Sequence, residues 1–161
     1  MVKKQIVEIF TDGSCNSKYK IGAWAAIIFY EGKKEILDGI EEDTTHNIME
    51  LMAVIEAIKY VIKTYPGFEL IRICTDSQYA EKIPLRAKKL IATNFTTNKG
   101  NDIQNKNLVK TLILLIQKTN IEFVKVKAHQ KLTATENYNR EVDKHARKLV
   151  RQEVDKNECL E

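Results

Sequence analysis

Three extended hydrophobic segments open the chain and predict the first half of a β-sheet. Residues 3–10 form a strand-like run, residues 22–30 form a long and largely buried one, and residues 34–40 form a third. The turn residues Glu31, Gly32 and Lys33 lie between the second and third segments and indicate a hairpin. The pattern therefore predicts a three-stranded antiparallel meander.

A helical pattern follows the meander. Thr44 or Thr45 can cap a helix that runs to about Lys63, where a Pro-Gly pair ends it. One stripe of this helix is apolar and is made by Val54, Ala57, Ile58 and Val61. Glu50 lies on the same stripe, where a carboxylate is costly unless it is paired, protonated or bound to a metal. The alternative is a buried acid that is satisfied by local hydrogen bonds.

Two aspartates follow strand-like segments. Asp12 comes after residues 3–10, and Asp76 comes after a fourth predicted strand at residues 68–75. A helix between two strands implies a crossover connection, so these strands are expected to be parallel and to end at one edge of the sheet. This arrangement brings Asp76 beside Asp12. Each aspartate also has a simpler alternative, because Asp12 can be a turn residue and Asp76 can cap the following helix.

The second half of the chain predicts further helices and a fifth strand. Pro84 marks a break, after which residues 85–92 are expected to form a short basic helix and residues 93–104 an irregular segment. A helix at residues 108–118 and a strand at residues 121–126 follow. Asn139 can cap a final helix from Arg140 to about Glu153, and residues 157–161 are expected to form a frayed tail. Asp143 is expected in the first turn of this final helix, where its negative charge can interact favourably with the helix dipole. The alternative is that its side chain points into a cleft.

Length and composition indicate a single α/β domain that spans residues 1–161. No apolar run is long enough for a membrane span and no secretory signal is indicated, so we expect a soluble, cytoplasmic protein. The three distant cysteines, Cys15, Cys74 and Cys159, disfavour a disulfide framework and a zinc site, and they suit a reducing compartment.

Positive charge is concentrated in one part of the chain. The net charge is only +4, but residues 82–110 contain seven basic side chains and a single acid. A basic patch on a nearly neutral protein suggests a polyanionic partner. The alternative is an ordinary solvated helix face.

Four carboxylates, those of Asp12, Glu50, Asp76 and Asp143, can converge at one sheet edge if the elements follow the predicted order. Like charges a few ångströms apart need bound cations, and an all-oxygen set suits Mg²⁺ or Mn²⁺ rather than Zn²⁺. Two such ions about 3.5–4 Å apart can activate a water and stabilise the leaving oxygen in phosphodiester cleavage. His129, after the fifth strand, lies at another strand end.

Four motifs together resemble those of a known family. They are Thr11-Asp12-Gly13-Ser14-Cys15, Met49-Glu50-Leu51, Thr75-Asp76-Ser77-Gln78-Tyr79 and Asn139-Arg140-Glu141-Val142-Asp143. In this order and spacing, along nearly the whole chain, they resemble ribonuclease H type 1. The resemblance implies a five-stranded mixed sheet, with three antiparallel strands and then two parallel ones, flanked by helices. It also implies an endonuclease that cuts the RNA strand of an RNA–DNA hybrid and leaves 5′-phosphate and 3′-hydroxyl ends.

The resemblance further implies roles for individual residues. The four acids become ligands of two Mg²⁺ or Mn²⁺ ions, and His129 assists proton transfer or product release. Substrate contacts are implied for Ser14, Cys15, Lys18, His46, Asn47, Gln78, Arg86, Lys88, Lys89 and Asn105. We expect a monomer. The last motif is also similar to the ribonuclease H domains of reverse transcriptases, so a host or a mobile-element origin stays open.

Several positions depart from the family pattern. Lys18 and His46 replace asparagines, and the tryptophans usual in the basic protrusion are missing. Ala128 replaces the glycine before His129, and the loop that follows is longer than usual. Two other functions therefore stay open, a hybrid-binding module without catalysis and a nuclease of the same fold that acts on DNA.

Overall fold

The structure, a computed structural model, describes residues 5–126 and 134–160, with the side chains of residues 134–137 left aside. This part of the chain contains five strands and four helices, in the order strand-strand-strand-helix-strand-helix-helix-strand-helix. The strands are β1 (Ile6–Asn16), β2 (Ile21–Tyr30), β3 (Lys33–Glu41), β4 (Leu70–Thr75) and β5 (Ile121–Lys125). The helices are α1 (His46–Thr64), α2 (Gln78–Ala92), α3 (Lys106–Lys118) and α4 (Ala134–Cys159). No helix in the described ranges is long and apolar enough to cross a membrane.

The strands form one mixed sheet in the order β3-β2-β1-β4-β5. The first three strands pair antiparallel, and β4 and β5 are parallel to β1. The prediction of a five-stranded mixed sheet, three antiparallel strands followed by two parallel ones, is therefore confirmed. β1 is the central strand, and its two neighbours determine where its pairing stops on each side.

β1 is longer than the sequence pattern predicts. Its parallel pairing with β4 ends at Thr11 and Thr75, but its antiparallel pairing with β2 continues from Asp12, opposite Ala25, to Asn16. The interpretation of Asp12 as a turn residue is therefore wrong. Because β4 stops one residue earlier, Asp12 remains in a strand while its β4 side opens into a cleft.

Alternating side chains of the strands pack against helices on both faces of the sheet. Val7 and Ile9 of β1 face the cluster formed with α1, α2 and α3. Phe10 faces the opposite side, where Val142 and Ala146 of α4 pack on the sheet. Both faces of the central strands are thus buried, which explains why β2 is apolar throughout.

Helix boundaries differ from the predictions at two places. α2 passes through Pro84, because Ala80, Ile83 and Leu90 lie buried on one face before and after it. The proline leaves only the carbonyl of Ala80 without its helical partner, and this packing offsets the loss. The predicted break at Pro84 is therefore wrong.

α4 begins before Asn139 and continues past Glu153, so the predicted cap and end of this helix are also wrong. Val154 extends the buried stripe of α4. The helix also includes residues 157–159, which the sequence predicts to be part of a frayed tail. The cap of α1 is Thr45, as one of the two alternatives predicted, and its side chain accepts a hydrogen bond from the backbone N–H of Ile48.

Candidate active site

Three acidic side chains converge where β1 and β4 separate. Asp12 comes from β1, Asp76 directly follows β4, and Glu50 lies in the first turns of α1. Each contributes a carboxylate oxygen to a group in which all the oxygens lie within 4.8 Å of one another. Ser77, rather than Asp76, caps α2 by accepting a hydrogen bond from the backbone N–H of Ala80. The structure thus leaves the Asp76 carboxylate directed at the other two acids.

The close packing of α1 on β1 places Glu50 in this group. Glu50 is only 2% exposed, and its Oε2 has no hydrogen-bond partner among the residues that the structure describes. Gly13 makes the approach possible, because an added Cβ would lie 2.5 Å from the backbone nitrogen of Glu50 and 2.6 Å from the carbonyl carbon of Met49. A Cβ atom cannot lie this close to backbone atoms, so this position of β1 needs glycine.

Burial and mutual repulsion shape the electrostatics of the acids. Burial, followed by the negative charges of Glu50 and Asp76, raises the pKa of Asp12 from its usual 3.8 to about 10. Burial also raises the pKa of Asp76, while a hydrogen bond from the side chain of Asn139 opposes this shift. The site therefore holds more negative charge than its surroundings stabilise.

Two neighbouring side chains partly compensate this charge. His46 Nε2 lies 3.1 Å from Glu50 Oε1, and this hydrogen bond raises the pKa of His46. Asn139 is a buried residue of α4 whose amide contacts Asp76 from the opposite face of the sheet. The two faces of the sheet thus each supply one polar group to the acids.

Asp143 lies beside this group but is not part of the close set. It comes from α4, lines the same cavity, and contacts the carboxyl of Asp12. Its Oδ1 lies 3.0 Å from Nε of Arg147, one helical turn further along α4. Asp143 is therefore half-buried and ion-paired, whereas Asp12 and Glu50 are almost fully buried.

A cavity of about 620 Å³ opens above the acids. Five of the side chains expected to contact substrate line it, namely Ser14, Cys15, His46, Asn47 and Gln78. Cys15 is held at the wall by a hydrogen bond from its Sγ to the carbonyl oxygen of Thr44, 3.6 Å away. Most of the residues that line this cavity are polar or charged.

The remaining predicted residues lie outside this cavity. Lys18 is in the β1–β2 turn with its Nζ 4.9 Å from the ring centre of Tyr19. Arg86 and Lys89 line a separate groove on α2, and Lys88 is exposed on the same helix. Asn105 directly precedes α3, and its side-chain amide donates a hydrogen bond to the Tyr79 hydroxyl instead of capping the helix. His129 lies outside the described residues.

Sequence reasoning missed three residues of the site. Asn139 was interpreted as a helix cap, and only the placement of α4 shows its contact with Asp76. Arg147 could have been found, because an arginine four residues after an aspartate in a helix can pair with it. Tyr79 lines both the cavity above the acids and a small groove that shares Arg86 with the groove lined by Arg86 and Lys89, so it lies between the cavity and α2.

The donor set fits a divalent cation. Clustered carboxylates with one buried, unpartnered oxygen at Glu50 provide the oxygen ligands that Mg²⁺ and Mn²⁺ prefer. A cation would also offset the negative charges of Glu50 and Asp76, which add to burial in raising the pKa of Asp12.

Comparisons with known proteins agree on one family. The model of the RNase H family matches residues 4–151. Ribonuclease H of Caldicellulosiruptor saccharolyticus is 32% identical over 151 residues, covering 92% of this chain and 98% of that protein. Ribonuclease H of Wolbachia pipientis wMel is 35% identical, covering 93% of this chain and 98% of that protein.

Two solved structures share the fold. LC9-RNase H1, described as a type 1 ribonuclease H with the type 2 active-site motif, superposes with a TM-score of 0.76 at 21% identity, covering 93% of this chain and 74% of that chain. A foamy viral protease-reverse transcriptase in complex with an RNA/DNA hybrid superposes with a TM-score of 0.72 at 18% identity, covering 92% of this chain and 20% of that chain.

Proposed function

Because this chain belongs to the ribonuclease H family, we propose that it is an endonuclease that cleaves the RNA strand of RNA–DNA hybrids and depends on a divalent metal. The products are 5′-phosphate and 3′-hydroxyl ends. The observation that carries the proposal is the group of three carboxylates within 4.8 Å at the floor of an open, polar cavity. A hybrid bound to a viral protein of the same fold supports the choice of substrate.

Asp12, Glu50, Asp76 and Asp143 would hold two Mg²⁺ or Mn²⁺ ions. When bound, such ions supply an activated water and stabilise the leaving oxygen of the phosphodiester. Asp12 would be the central residue of this ligand set, since it contacts Asp143 and also lies among the other two acids. Arg147 pairs with Oδ1 of Asp143, which leaves the second carboxylate oxygen of Asp143 to act as a ligand.

The remaining groups of the site hold these acids in place and receive the substrate. His46 bonds to one oxygen of Glu50 and leaves the other oxygen for a cation. Asn139 donates a hydrogen bond to the Asp76 carboxylate from the face of the sheet that α4 covers. Ser14, Asn47 and Gln78 present polar groups at the cavity wall, where ribose 2′-hydroxyls of the RNA strand can be recognised.

His129 would assist proton transfer or product release. The groove lined by Arg86 and Lys89 would bind the backbone of the DNA strand. A neighbouring groove that contains Arg86 and Tyr79 lies between it and the cavity above the acids. We also propose that the chain acts as a single domain of residues 1–161 and as a monomer in the cytoplasm, where its three free cysteines stay reduced.

The test is a cleavage assay with the parent protein and the Asp12→Asn variant. Labelled RNA is supplied in a hybrid, as a single strand and as a duplex, and labelled duplex DNA is included. We expect Mg²⁺-dependent cleavage of RNA in the hybrid alone, and none by Asp12→Asn. The matched control is Asp43→Asn, because Asp43 is an exposed aspartate in the β3–α1 connection and does not line the cavity.

Each other outcome points to a different function. Tight hybrid binding without products would support a binding module, and cleavage of duplex DNA would support a DNA nuclease. Equal cleavage by Asp12→Asn and the parent would refute the assignment of the carboxylates.

A further inference from the structure

A row of basic side chains follows one face of α4 next to the catalytic cavity. Lys144, Arg147, Lys148 and Arg151, called here the α4 basic strip, are all exposed. Arg147, Lys148 and Arg151 follow Lys144 by three, four and seven residues, which places all four on one stripe of the helix. The opposite stripe of α4 is buried against the sheet, so the strip necessarily faces outward.

Most of this charge is not neutralised locally. Arg147 pairs with Asp143, but among the described side chains no carboxylate lies within 4.0 Å of the charged groups of Lys144, Lys148 or Arg151. Asp155 is next on the same stripe, so the strip ends after Arg151. Over its length the strip therefore presents three free positive charges.

The strip lines a second cavity that continues the catalytic one. This cavity, of about 690 Å³, shares Ser14, Cys15, Asp143 and Arg147 with the catalytic cavity and adds the other three basic residues of the strip. The β1–β2 turn borders the same region, because Tyr19 packs against Val150 and Val154 of α4. Lys18, beside Tyr19, thus adds positive charge near the strip.

The strip and the basic residues of α2 lie on opposite faces of the sheet. α4 covers one face, and α2 packs with α1 and α3 on the other. The catalytic cavity lies between them. It shares Tyr79 with a groove that contains Arg86 of α2, and it shares Asp143 and Arg147 with the α4 cavity. A substrate strand that crosses the acids therefore meets positive charge on both sides.

We infer that the α4 basic strip binds phosphates of the RNA strand beyond the cleaved bond, on the side away from α2. This inference rests on the proposed function, because it requires the cleaved strand to lie across Asp143. From Lys144 to Arg151 the helix rises about 10 Å, a length along which one strand of a duplex carries about three phosphates. The three free charges therefore match the phosphates within reach.

Salt-dependent binding tests the inference apart from catalysis. In the Asp12→Asn background, which leaves RNA uncut, binding of a labelled hybrid is measured by fluorescence anisotropy between about 50 and 200 mM salt. The test variant carries Lys144→Gln, Lys148→Gln and Arg151→Gln. The matched control carries Lys33→Gln, Lys63→Gln and Lys118→Gln, three exposed lysines at the opposite end of the sheet with the same change in charge.

The strip variant should show a salt dependence that is shallower by about two to three in log–log slope, and an affinity at least about tenfold lower at low salt. The control should keep a slope close to that of the parent. An unchanged slope in the strip variant, or an equal change in the control, would overturn the inference.

Shortening the hybrid from one end at a time gives a second readout. In the same Asp12→Asn background, the affinity of the protein with an unchanged strip should fall when base pairs are removed from one side of the cleaved bond, and the strip variant should be insensitive to that removal. Equal sensitivity of the two proteins would count against the strip. Cleavage by the protein with an intact Asp12 is measured separately, so its absence would refute the proposed function without involving the strip.

Discussion

Replacing Asp12 with asparagine should stabilise the protein in the absence of divalent cations. In the folded chain the pKa of Asp12 is raised from 3.8 to about 10 by burial and by the charges of Glu50 and Asp76. The unfolded chain loses this proton near pH 4, and the folded chain keeps it to much higher pH. Because the folded state binds more protons over this range, its stability falls as pH rises. Asparagine is neutral in both states and avoids this loss.

The size of the effect follows from the two pKa values. Each pH unit above the unfolded pKa costs the parent about 1.36 kcal/mol, so at pH 7 the cost reaches about 4 kcal/mol. The advantage of Asp12→Asn should therefore grow by up to about 4 kcal/mol between about pH 5 and pH 8. It should vanish near pH 4, where unfolded Asp12 is also protonated.

Urea denaturation in EDTA at several pH values measures this difference, with Asp43→Asn as the control. The side chain of Asp43 is 91% exposed, so this control makes the same change of residue type outside the buried group of acids. A metal should reverse the order, because Mg²⁺ binds the folded parent and should stabilise it more than the variant. An Asp12→Asn protein that is less stable than the parent in EDTA at pH 7, or a difference that is constant with pH, would refute the reasoning.

Three further substitutions test the local explanations given for Gly13, Asn139 and Pro84. Gly13→Ala places a Cβ 2.5 Å from the backbone of Glu50, so we expect the free energy of unfolding to fall by about 1–3 kcal/mol and cleavage to be lost. The control Gly67→Ala, whose new Cβ has its nearest contact at 3.4 Å, should be tolerated in both assays. Asn139→Ala removes the hydrogen bond that lowers the pKa of Asp76, so half-maximal activity should need at least about tenfold more Mg²⁺, and an unchanged Mg²⁺ titration would exclude this role. Pro84→Ala restores an N–H to the interior of α2 and should raise the stability by about 1–2 kcal/mol, and an unchanged or lower melting temperature would contradict this explanation.

The hydrophobic pattern of the strands, together with the hairpin and crossover connections between them, was enough to predict most of the sheet. The crossover between the strand before Asp12 and the strand before Asp76 implied parallel neighbours, and β1 and β4 pair in this way. Glu50 on an apolar stripe was a strong signal, since a buried carboxylate needs a reason to be there. These signals are local, and each follows from the sequence within one or two elements.

The missed features depend on contacts between distant elements. The continuation of β1 past Asp12 comes from its pairing with β2, which the local Asp-Gly sequence does not show. The continuation of α2 through Pro84 results from tertiary packing that outweighs local propensity. Asparagine is a residue type typical of a helix cap, and the contact of Asn139 with Asp76 exists only because α4 begins earlier and packs on the sheet.

Single-turnover cleavage of a hybrid as a function of Mg²⁺ concentration tests the central claim most directly. The claim is that Asp12, Glu50, Asp76 and Asp143 hold two ions that cut the RNA strand. It predicts no cleavage in EDTA and a rate that rises more steeply than the first power of Mg²⁺ at low concentration, before it saturates. Cleavage of the RNA strand that persists in EDTA would contradict it.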